Sequence, residues 1–176
     1  MNMKILPFLP LLLLTACGVG TVTTTTAPVP LDPAIETVLR HPLPEGAALP
    51  IPEARKEQKA GDAVLLEGRI MGVVKPFVEG RAAFVLGDNA TITPCSDMED
   101  DHCAEPWDAC CDPNEVRMAG TATIQIVDES GAVIRQGLEG VHGLEKLASV
   151  KVAGVLAPTS TEAAMIVNAT AIRVGE

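Results

Sequence analysis

Beyond Gly61 the chain alternates, and this two-residue period restricts its fold more than any other feature. Residues 63–74 put Val64, Leu66 and Ile70 on one side and Leu65, Glu67 and Arg69 on the other, the pattern of a half-buried strand. Gly68 and Gly72 interrupt that segment, as they would in a strongly bent strand. Residues 81–86 form a second segment with Ala82, Phe84 and Leu86 on one face, after a hairpin connection over residues 75–80 that contains Pro76. Residues 121–127 direct Ala122, Ile124 and Ile126 inward and end at the turn Asp128-Glu129-Ser130-Gly131, after which residues 132–134 return alongside. Residues 150–156 and 165–174 are the last two strands, and residues 138–147 leave room for a short helix broken by Gly140 and Gly143. With three Phe, one Trp and no Tyr, the core has to be built from Val, Ile, Leu and Ala.

Strand, hairpin, strand, strand, a short helical connection and two more strands is an all-β order that resembles the OB-fold, a five-stranded Greek-key barrel. Gly61-Asp62-Ala63-Val64-Leu65-Leu66-Glu67-Gly68-Arg69-Ile70 is similar to the opening strand of that fold, and Val150-Lys151-Val152-Ala153-Gly154-Val155 to its fourth. Ile166-Val167-Asn168-Ala169-Thr170-Ala171-Ile172-Arg173-Val174 is similar to its closing strand. An open sandwich of the same strands is the alternative. The OB-fold hosts nucleic-acid binders, sugar binders and inhibitors alike, so the resemblance names no activity.

The chain opens Met1-Asn2-Met3-Lys4, one positive charge ahead of the apolar run from Ile5 to Leu14, which is the layout of a secretory signal. A bilayer core takes about 20 apolar residues; this run is half that and holds Pro7 and Pro10. It closes on Leu14-Thr15-Ala16-Cys17, which resembles the lipobox of bacterial lipoproteins and departs from it mildly at Thr15. The resemblance implies cleavage after Ala16 and lipidation of Cys17. Gly18 in place of Asp implies sorting to the outer membrane, so the expected location is the cell envelope, lipid-anchored and facing the periplasm. Several acyl chains, each methylene contributing ~0.8 kcal/mol when buried, anchor far more firmly than one.

Residues 18–33 are rich in Thr and Pro, a composition that prefers extended chain to a packed core. Residues 35–41 allow a helical turn or two, and Pro42, Pro44, Pro50 and Pro52 oppose regular structure up to about Ala54. The expected organisation is a signal peptide over 1–16, a lipid-anchored tether over 17–60 and a barrel domain over 61–176. The full chain carries a net charge of −10, or −11 once Lys4 leaves with the leader. Such a surface repels phosphate backbones and anionic headgroups, which argues against nucleic acid as a partner.

Between the second and third strands four cysteines gather: Cys95, Cys103, Cys110 and Cys111. An exported chain meets an oxidising compartment, so the expectation is an insertion stapled by two disulfides. Bonding Cys110 to Cys111 would close a strained ring, so Cys95 and Cys103 would each take one of them, in either pairing. Structural zinc sites space cysteine pairs by two to four residues; here the intervals are seven, six and none, and no metal is expected even with His102 nearby. Asp97, Glu99, Asp100, Asp101, Glu105, Asp108 and Asp112 crowd the same loop without an EF-hand pattern and read as a solvated acidic face. Trp107, the single indole, reads either as a lid over the barrel end or as an anchor for a partner.

His41, His102 and His142 have no nucleophile motif, phosphate loop or dinucleotide fingerprint beside them, so neither an enzyme nor a cofactor is expected. Two function classes remain. The first is a lipid-tethered binding or structural module whose partner is another envelope protein or a small ligand. The second is an OB-fold binder of oligonucleotide or oligosaccharide, for which Arg69, Lys75, Arg81 and Trp107 are the candidate contacts. Single-stranded nucleic acid requires a basic groove with stacking aromatics, and this chain has few of either.

Overall fold

The computed structural model describes residues 30–100 and 102–175, so the expected signal peptide and Cys17 lie outside the described residues. Five strands close into a barrel in the order β1-β2-β3-β5-β4: β1 (Ala63–Ile70), β2 (Ala83–Gly87), β3 (Thr121–Gln125), β4 (Ser149–Leu156) and β5 (Ile166–Val174). Every pair is antiparallel except β3 with β5, which run parallel from Thr123 opposite Ile166 to Gln125 opposite Asn168.

The long first strand serves two neighbours. Ala63 to Arg69 pairs with β4, while Arg69 and Ile70 pair with Gly87 and Leu86 of β2. The turnover lies at Gly68, where a Cβ would stand 2.2 Å from the carbonyl oxygen of Gly87. Only glycine lets the two backbones approach that closely.

The alternation sorts the side chains as expected. Val64, Leu66, Ile70, Phe84, Leu86, Ala122, Ile124, Ile126, Val152 and Val167 are buried in one core. Phe77 and Phe84 form an aromatic pair in it, ring centroids 6.1 Å apart. Aliphatic β-branched residues fit a pleated, half-buried surface, so the scarcity of aromatics does not prevent closure.

Two corrections concern the segments outside the strands. Residues 33–57 are not tether: they form helices α1 (Pro33–Arg40) and α2 (Ile51–Glu57), and Ile35, Ile51 and Ala54 are fully buried in the barrel core. The prolines allow this because Pro33 and Pro52 sit in first turns, where the missing N–H has no helical partner to lose. Asp32 caps α1 by accepting the Ala34 N–H at 2.9 Å. At the other end Arg173 of β5 donates to the carbonyls of Leu39 and Arg40, which holds the helix on the barrel wall. Between the helices the Leu49 N–H donates to the Leu65 carbonyl at 2.8 Å.

The second correction is the expected helix over residues 138–147, which is only a 3-10 turn at Val141–Gly143. Gly140 and Gly143, at φ of +82° and +83°, break any longer helix, while Leu138 and Leu144 still bury. A third helix, α3 (Asn114–Ala119), leads from the cysteine insertion into β3.

Candidate functional site

The insertion between β2 and β3 folds onto one end of the barrel with a small apolar core of its own. Met71, Ile92 and Ala109 are buried there, flanked by Trp107, Val116 and Leu147. Backbone bonds turn the loop back on itself: the Cys95 N–H donates to the Asp108 carbonyl at 2.7 Å, and the Ser96 N–H to the Pro106 carbonyl at 2.9 Å. A further bond, from the Gly72 N–H to the Trp107 carbonyl at 2.9 Å, ties the loop to the end of β1.

This folding brings the four cysteines together. Cys110 Sγ lies 3.4 Å from Cys95 Sγ and 3.2 Å from Cys103 Sγ. All four sulfurs, Cys111 included, fall within 4.8 Å of one another. Cys95 is buried, in the 3-10 turn Cys95–Asp97, whereas Cys110 and Cys111 reach solvent. The two contacts at Cys110 are longer than the ~2.05 Å of a disulfide bond.

Beside the insertion runs a cleft of about 490 Å³ between residues 74–80, which link β1 to β2, and Gly137, Leu138, Glu139 and Lys146 of the β3–β4 connection. Trp107 closes one edge: its indole Nε1 donates to the Val74 carbonyl at 2.9 Å, and Lys146 Nζ lies 4.2 Å from its ring centroid. Lys146 also meets Glu139 at 3.1 Å, so one lysine joins the tryptophan to the opposite wall. Val74 and Val78 expose much of their surface at the lip, 53% and 42%.

The candidate contacts divide. Lys75 lines the cleft and Trp107 borders it through Val74. Arg69 is committed elsewhere, its guanidinium 2.6 Å from Asp97 of the cysteine loop and bonded to the Leu147 carbonyl at 3.3 Å. Exposed Arg81 reaches the Val133 carbonyl at 3.5 Å and does not line the cleft. The Trp107 ring packs against the insertion's core and carries Lys146 over its face.

Residues missed by the sequence reading are Lys146 and Glu139, which no motif marks. A second cleft of about 300 Å³ gathers Arg55, Lys56 and Lys59 near residues 160–162. Arg55 donates to the carbonyls of Glu162 and Thr121, and burial lowers its pKa. His142 pairs with Glu36 of α1 at 3.2 Å and so braces the β3–β4 connection against that helix. Comparison with protein-family models, curated proteins and solved structures finds no match to this chain.

Proposed function

We propose that the chain is a lipid-anchored lipoprotein of the cell envelope whose barrel is a non-enzymatic binding or structural module. Lipid on Cys17 attaches it to the membrane, outer membrane facing the periplasm, and the cysteine insertion with its neighbouring cleft is the face presented to another envelope protein or a small ligand. The observation that carries the module reading is the cleft beside Trp107, where Lys75, Lys146, Glu79 and Glu139 mix both charges around an apolar lip. Concave sites with apolar walls and a few convergent polar groups are where ligands bind. Among the described residues no helix is long and apolar enough to cross a membrane.

The strand order with its parallel β3–β5 pair supports an OB-type barrel, the fold that the opening, fourth and closing strands resemble. On that fold the β1–β2 link is a common ligand wall, and here it forms one side of the cleft.

Detergent-phase partitioning of the full-length chain and its Cys17→Ser variant tests the anchor. The parent is expected in the detergent phase, with an N-terminal peptide that begins at Cys17 and carries acyl mass. The variant is expected in the aqueous phase; identical partitioning and mass for both would refute the anchor. For the module, chemical cross-linking from a Lys75→Cys variant in intact envelopes should give a discrete adduct that Trp107→Ala abolishes.

A further inference from the structure

The four sulfurs of the insertion form one group and not two bonded pairs. A disulfide gives each sulfur one partner at ~2.05 Å. Here Cys110 is shared almost equally, with Cys103 at 3.2 Å and Cys95 at 3.4 Å, and Cys111 belongs to the same group within 4.8 Å. Four thiolates at the ~2.3 Å zinc–sulfur distance, placed tetrahedrally, stand about 3.8 Å apart, inside that span.

Sequence spacing concealed this arrangement. Intervals of seven, six and none match no pattern in which two thiolates reach an ion from one turn. The backbone bonds from Cys95 to Asp108 and from Ser96 to Pro106 set Cys95 against the strand of chain leading to Cys110, so proximity comes from the folded loop.

We propose that Cys95, Cys103, Cys110 and Cys111 form a tetrathiolate site for a thiophilic divalent cation, zinc. Four protein ligands complete a tetrahedron and leave no open position, the composition of a structural site and not a catalytic one. Each thiol loses its proton to solvent as its sulfur bonds the metal. The centre then holds four thiolates and one zinc ion with a net charge of −2, and no electron is transferred. The ion fastens an insertion that packs on a small cluster of Met71, Ile92 and Ala109. The acidic chain, at −10 overall, favours the approach of a cation.

The competing arrangement is the pair of disulfides that an exported address implies. The two are separated on the full-length chain, purified in detergent without reductant or added chelator, by plasma mass spectrometry for metal and alkylation mapping of each cysteine after denaturation. The expected result is one zinc per chain with all four cysteines alkylated, and loss of the zinc on acidification as the thiolates reprotonate. Exposed Cys111 is the position to vary, because its replacement leaves the buried Cys95 packing in place. Cys111→Ser should weaken zinc binding at least tenfold in a chelator competition, since disturbing even the outer shell of such a site costs about that much.

Blocked cysteines in the unreduced protein would establish the disulfides and overturn the proposal. So would reduced cysteines that bind no added zinc, or undiminished affinity in Cys111→Ser. Loss of the membrane anchor alters none of these readouts, so the lipoprotein reading and the metal site fail separately.

Discussion

Asp88, one residue past β2, accepts the backbone N–H of Ile51 at 2.9 Å across 37 positions of sequence. That donor opens α2 and has no partner within the helix. The other carboxylate oxygen takes the Ala90 N–H at 2.9 Å and the Thr91 hydroxyl at 3.0 Å, so a side chain only 4% exposed is satisfied on both oxygens. Asp88→Ala leaves the buried Ile51 N–H without an acceptor, at a cost of about 1–3 kcal/mol. Denaturant unfolding should show that loss in the transition of the whole domain. An unchanged midpoint would mean that residues 51–57 do not contribute to the barrel's stability.

The same contact shows where the sequence stopped being legible. Alternation placed all five strands within a few residues, because buried and less buried positions follow the period of the pleat, most regularly along β1 and β3. Residues 35–41 read as a helical turn or two, where α1 stands, but α2 was hidden by prolines that read as breakers in a chain and serve as first-turn residues in the fold, and the packing of both helices depends on distant partners such as Asp88 and Arg173. The cysteines were legible as a cluster. Their approach to within 4.8 Å of one another was not, because it depends on backbone pairing such as that of Cys95 with Asp108. The cleft has no signature at all: its walls, residues 74–80 and 137–146, meet only when the barrel closes.

Gly68→Ala tests the turnover of β1 from one neighbour to the other. The added methyl would stand 2.2 Å from the Gly87 carbonyl oxygen, a backbone atom that cannot swing aside. Overpacking of this kind costs about 1–3 kcal/mol, at times more. Gly137→Ala is the control, since its nearest neighbour would be 4.0 Å away, and its effect should stay within ~0.5 kcal/mol. Equal stability of the two variants would place the close crossing elsewhere.

Asp128 gives a pH-dependent prediction. The Ser130 hydroxyl donates to its carboxylate at 2.6 Å, and the N–H groups of Ala132 and Ser130 add to it, holding its pKa below the ordinary aspartate value. A depressed folded pKa stabilises the turn above the unfolded pKa, and that contribution is lost as pH falls through the folded one. The window therefore starts near the ordinary ~3.9 and extends downward. Carbon-detected NMR titration should find Asp128 protonating at lower pH in the domain than in a peptide of residues 126–134. Coincident titrations would remove the hydrogen-bonded turn.

Trp107 and Lys146 should be energetically coupled. The lysine ammonium sits 4.2 Å from the ring centroid, a geometry worth roughly 0.5–1 kcal/mol at a partly exposed site. A double-mutant cycle of Trp107→Leu and Lys146→Met, followed by denaturant unfolding, should return a coupling of about that size and sign. Additive effects would show that the lysine is held by Glu139 alone.

The domain should not bind single-stranded DNA at physiological salt. Such binding needs a continuous basic groove with exposed rings on which bases stack. Here Arg69 is spent on Asp97, Lys146 covers Trp107 while pairing with Glu139, and Lys75 shares its cleft with Glu79. The other cations of a cleft, Arg55, Lys56 and Lys59, lie in a separate one where Arg55 is turned onto backbone carbonyls. With a net charge of −10 on the whole chain, the long-range field opposes the approach of a polyanion before any contact forms. Fluorescence anisotropy with a labelled oligothymidine should therefore show no saturable binding at micromolar protein, and lowering the salt should produce little. Micromolar affinity that falls steeply as salt is added would reveal phosphate contacts, since counterion release sets that slope, and would make an oligonucleotide the ligand of this barrel.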